Sequence, residues 1–101
     1  MVRFNDGVDL NGIKPEMVSG FVVVASVYTT LGYDCIPTSI NDGVHGFGSL
    51  HYIGMAMDFR IRHVREDDRV ALKNMIAEAL GEQFDVVLET THIHVEYQPK
   101  K

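Results

Sequence analysis

A chain of 101 residues has room for one hydrophobic core, and so for one domain. Its net charge of -5 and its scattered lysines and arginines exclude the clustered basic face of a nucleic-acid binder, and its most apolar run, GFVVVASVYTTLG, is too short to insert across a bilayer. One cysteine excludes an internal disulfide, whereas five histidines keep a bound metal ion open as an extra source of stability.

In chain order, residues 1–13 are polar, carry the turn signals NDG and NG, and read as an arm leading into the first helix. Acids and glycines interrupt this arm where a secretory signal needs an apolar core, so no export signal is expected. KPEMVSGFVVVASVYTTLG opens on Pro15 and Glu16, closes at Gly32, and places Met17, Phe21, Val24, Tyr28 and Leu31 on one helical stripe. The β-branched run Val22–Val24 leaves a strand open for part of it. DCIPTSI reads as a short strand with Pro37 marking an edge or an irregularity, and NDGVHGFGS as a glycine-rich loop. GMAMDFRIR alternates and reads as a strand with Met55, Met57 and Phe59 on one face. REDDRVALKNMIAEALG reads as a helix: acids crowd its first turn, Leu72, Ile76, Ala79 and Leu80 form a stripe, and Gly81 ends it. FDVVLE and HIHVEY read as two strands joined by a turn at Thr90 and Thr91. The order α-β-β-α-β-β implies an α+β domain, a small, mostly antiparallel sheet packed against two helices.

Period two along HIHVEY puts His92, His94 and Glu96 on one face and Ile93, Val95 and Tyr97 on the other. Upstream, His51 enters the strand that carries Asp58, and Gly54 and Ala56 keep the backbone between them approachable. A histidine, an aspartate and a distant histidine, with a fourth position left to water, would make an open zinc site of catalytic type. Zinc there would activate the water and polarise a carbonyl, and a nearby carboxylate such as Glu89 could shuttle the proton. Cys35 has no His near it in sequence to activate it and reads as buried and inert; His63 reads as a surface residue, and Met55 and Met57 as core packing.

SLHYIGMAMD, which is Ser-x-His-x-x-Gly-x-Ala-x-Asp from Ser49 to Asp58, followed after one helix by His-x-His, resembles the zinc D-alanyl-D-alanine carboxypeptidases and L-alanyl-D-glutamate endopeptidases that cut peptidoglycan stem peptides, a fold shared with the hedgehog signalling domain. The ending HIHVEYQPK is similar to small phage-encoded members, and the resemblance spans roughly residues 35–98. It implies His51, Asp58 and His94 as zinc ligands, Glu89 as general base and His92 as the oxyanion-stabilising group. A second register, with His92 as the ligand three residues after Glu89, stays open. On the substrate side stand His45, a carboxylate binder or an exposed loop histidine; Ser49, which more readily holds the turn presenting His51; and Arg60, on the strand face of Asp58. The chain departs from the pattern in one respect, because residues 35–49 contain no arginine to orient the substrate. Arg60 could substitute or could pair with a surface acid. The expected partner is a peptidoglycan peptide; with no export signal, the chain would stay cytoplasmic until phage lysis releases it, or would travel in a virion. A non-catalytic zinc-binding phage module is the alternative. A metal-free interaction domain, with Asp58 salt-bridged to Arg60 or Arg62, is a further rival.

Overall fold

The computed structural model describes residues 1–8, 13–41 and 56–98. The elements run α1 (Pro15–Leu31), β1 (Pro37–Asn41), β2 (Ala56–Arg60), α2 (Glu66–Leu80), β3 (Phe84–Leu88) and β4 (His92–Tyr97). The strands pair antiparallel throughout in the order β1-β2-β4-β3, which makes the domain α+β as its pattern predicts.

Both helices end where glycine allows. At the end of α1, Gly32 takes φ 88°, its N–H donates to the Thr29 carbonyl, and the Tyr33 N–H reaches back to Tyr28. This is the Schellman arrangement, and it satisfies the last carbonyls of the helix. It also explains why Val22–Val24 stay helical. Pro15 starts the turn, Gly32 closes it, and Val22 is exposed while Val24 is buried, so packing follows helical spacing rather than strand alternation. In α2, Leu72 and Ile76 are buried and Leu80 packs against the core, but Ala79 is exposed; the expected stripe is narrower by that residue. Gly81, at φ 83°, ends it.

Pro37 is the first residue of an edge strand, and the register slips between Pro37 and Ser39. That is where a residue without an N–H is tolerated. The strand begins at Pro37, two residues after Cys35, because Cys35 pairs instead with the N-terminal arm, in a parallel bridge to Val2. Cys35 is fully buried, and burial pushes its thiol up to about 12, which leaves it inert at neutral pH.

Met57 and Phe59 of β2 and Ile93 and Val95 of β4 are fully buried with Met17, Val24, Tyr28, Leu72 and Ile76 of the helices. The helices therefore cover one face of the sheet, and the alternate residues Asp58, Arg60, His92, His94 and Glu96 project from the other. Among the described residues no helix is long and apolar enough to cross a membrane.

Gly20 lies where α1 meets the sheet edge. A Cβ there would stand 2.8 Å from Cε2 of Phe84, a ring braced by Tyr97 at 5.2 Å between centroids. Alanine gains up to about 1 kcal/mol of helix propensity, but forcing a braced ring aside costs about 1–3 kcal/mol. Gly20→Ala is expected to lower stability by about 1 kcal/mol in urea unfolding; a gain in stability would contradict this contact.

Candidate functional site

The antiparallel register places Asp58 of β2 directly opposite His94 of β4, and Arg60 opposite His92. His94 Nδ1 lies 2.7 Å from Asp58 Oδ1, although the two residues are 36 positions apart in sequence. Its other nitrogen, Nε2, lies 3.1 Å from Glu96 Oε1, and Glu96 is in turn held by the Gln98 side-chain amide. His92 Nε2 stands 3.7 Å from the same Asp58 oxygen, and its Nδ1 shares a 3.1 Å hydrogen bond with the Thr91 hydroxyl. On the far side of Asp58, Ser39 of β1 donates to Oδ2 at 3.2 Å.

The charges follow from these contacts. Burial pushes the Asp58 carboxyl up, but the His94 hydrogen bond, the two imidazole charges and the Ser39 hydroxyl outweigh it and hold the group below its ordinary value. For His94 the hydrogen bond to Asp58 dominates; burial opposes it and Glu96 reinforces it, lifting the imidazole from 6.5 to about 9. At neutral pH and without metal, His94 is a cation whose two N–H groups donate to two carboxylates.

Asp58 is therefore paired with histidines. Its partners among the described residues are His94, His92 and Ser39, and neither Arg60 nor Arg62 is among them. The expected salt bridge of the metal-free rival is corrected on this point: Arg60 projects two residues along the strand and faces His92. Glu89 is exposed at the β3–β4 hairpin, where its N–H donates to the His92 carbonyl at 2.8 Å. That link, one step beyond the Leu88–Ile93 pair, sets Glu89 on the His92 side of the sheet. His63 is exposed, as its sequence context predicts, and stacks on Tyr28. His51, Ser49 and His45 lie outside the described residues.

A carboxylate oxygen and an imidazole nitrogen are ordinary zinc donors, and here they face one point with a proton between them. Two donors on one tetrahedral zinc stand about 3.3 Å apart, so the 2.7 Å pair needs only a slight opening once that proton leaves. Glu96 on the second nitrogen is the outer carboxylate that orients a ligating histidine. Among the described residues no group of three or more His, Cys, Asp or Glu side chains could by itself hold a metal ion. Asp58 and His94 fit as two donors of the expected three. Ser39 and Glu96 are contacts of this site that the motifs alone do not assign. For Glu96 the signal was present, two positions from His94 on the same strand face; for Ser39 nothing in the sequence set the β1 register.

The ion pair makes the stability of the metal-free protein depend on pH. A histidine raised from 6.5 to about 9 on folding stabilises fully below pH 6.5 and loses that contribution as pH climbs through about 9. The shift corresponds to roughly 2–3 kcal/mol after screening at side chains 24% exposed. Asp58→Asn is expected to cost about 2 kcal/mol in chelator-treated protein near pH 6 and under about 1 kcal/mol near pH 10, read by urea unfolding. An equal loss at both pH values would remove the ion pair from the account.

No protein-family model matches the chain, and no curated protein or solved structure matches it.

Proposed function

We propose that the chain is a zinc metallopeptidase hydrolysing peptide bonds in bacterial peptidoglycan stem peptides, of D-Ala-D-Ala carboxypeptidase or L-Ala-D-Glu endopeptidase type. The observation that carries this reading is the 2.7 Å meeting of Asp58 and His94, with His92 3.7 Å from the same carboxylate oxygen, on the sheet face the helices leave free. It brings Asp58 of the first motif and His94 of the second to one place, which supports the reading.

In this reading His51, Asp58 and His94 hold the ion, and Glu96 keeps the His94 ring in place through its second nitrogen. Zinc, when bound, lowers the pKa of a water and polarises the peptide carbonyl. Glu89 accepts the proton of the attacking water and returns it to the leaving nitrogen. His92 keeps Nε2 on the open face, with Nδ1 engaged by Thr91, and donates to the oxygen on which charge develops. His94 is preferred to His92 as the ligand because it is the imidazole in direct contact with Asp58.

The test is digestion of purified peptidoglycan by zinc-loaded protein, with muropeptide products identified by mass spectrometry and zinc measured by elemental analysis. One zinc per chain together with a newly freed D-alanine, or a freed L-alanyl end, supports the enzyme and names the bond. Stoichiometric zinc without cleavage leaves a non-catalytic zinc module, and zinc well below one per chain ends both readings.

A further inference from the structure

Beside His92 the sheet opens into a cleft of about 290 Å³ lined by Asn5, Thr38, Arg60, Arg62, Thr91 and His92. Arg60 enters from the register position opposite His92, and Arg62 from the turn that follows β2. Among the described residues the wall holds two guanidiniums, an imidazole, two hydroxyls and a carboxamide, and no carboxylate.

The arginines are unusual within this chain. Arg3 pairs with Asp34, Arg65 with Asp67, and Arg69 donates to the Val64 carbonyl. Among the described residues Arg60 and Arg62 have neither an ion pair nor a side-chain hydrogen bond. The chain is acidic overall, at net charge -5, yet no acid among the described residues pairs with these two guanidiniums, which line one cleft. The nearest acid on that strand face, Asp58, is committed to His94. A guanidinium offers a planar fork of donors that suits a carboxylate, and two of them converging with hydroxyl and amide donors form an anion site.

We propose that this cleft is a carboxylate-binding subsite, in which Arg60 and Arg62 seat a free carboxylate of the peptide next to the Asp58–His94 pair. The anion site stands on the cleft alone; its assignment to a peptide carboxylate rests on the peptidase reading. The volume admits a short peptide end with small side chains.

The experiment is an NMR titration of metal-free, full-length protein, following the arginine Nε–H and His92 ring resonances. The probes are N-acetyl-D-alanyl-D-alanine, its C-terminal amide, and inorganic phosphate. The acid is expected to shift the Arg60, Arg62 and His92 signals and to bind at least about tenfold more tightly than the amide, with added salt weakening it. Arg60→Gln and Arg62→Gln should each erase most of that preference, whereas Arg60→Lys should retain part of it. Arg62 is exposed, so its variant reads the site even if Arg60→Gln folds poorly. Equal binding of acid and amide, a response to phosphate alone, or an acid preference that survives both glutamine variants would overturn the subsite. Acid-selective binding by a protein that cleaves no peptidoglycan keeps the subsite and removes the peptidase. Cleavage without acid preference does the reverse.

Discussion

Zinc affinity is expected to rise about tenfold for each pH unit from about pH 6.5 to about pH 9, and then to level off. The reason lies in what the metal must displace. His94 is held as a cation by Asp58 and Glu96, with a pKa near 9, and only the neutral imidazole can bind a metal. Near pH 7 about one molecule in a hundred has that nitrogen free, which weakens binding by about 2.7 kcal/mol relative to the plateau. An unperturbed histidine would produce a break near 6.5 and nothing above it. Competition against a chelator of known pH dependence, or the visible absorption of a cobalt-substituted site, would follow the curve. Calorimetry in buffers of different ionisation enthalpy should count one proton released per ion near pH 7.5. Affinity that is flat above pH 7 would mean that His94 is not a ligand. The variant Glu96→Gln removes one of the two anions holding the proton, and should move the break toward lower pH.

The two halves of the site differed in how far the sequence revealed them. Alternation in HIHVEY is a local property, and it set His92, His94 and Glu96 on one face correctly because Ile93 and Val95 had to be buried. The acid-rich start and Gly81 stop of α2 are equally local, and that helix formed as its pattern predicts, apart from Ala79. The pairing of Asp58 with His94 rather than with an arginine was not local. It depends on a β2–β4 register fixed across an intervening helix, and a slip of one residue would have turned every one of these side chains over. Ser39 depends on a second register, displaced by the irregularity after Pro37. Arg62 was out of reach for a different reason: it lies beyond the end of β2, where strand alternation no longer determines direction. The segment bearing His45, Ser49 and His51 lies outside the described residues.

Glu89→Gln is expected to reduce peptidoglycan hydrolysis by about 10²–10⁴-fold while leaving fold and zinc content unchanged. The substitution keeps the shape of the side chain and removes only its ability to take a proton. Glu89 is exposed at the hairpin, and among the described residues its carboxylate has no hydrogen-bond or ion-pair partner, so the fold loses no contact; surface changes of this kind fall within about 0.5 kcal/mol. The backbone hydrogen bond from Glu89 to His92 remains, so the hairpin keeps its register. A base acts on the step rather than on binding, so kcat should fall with KM little changed. Loss at His92 has a different signature. His92→Ala removes a donor to the developing charge and is expected to cost about 10²–10³-fold, but it also exposes Asp58 on one side and should perturb the pH dependence of the ion pair. A Glu89→Gln protein that hydrolyses within a few-fold of wild type would take the proton transfer away from this hairpin and direct attention to Glu96, whose carboxylate is already 3.1 Å from the His94 ring.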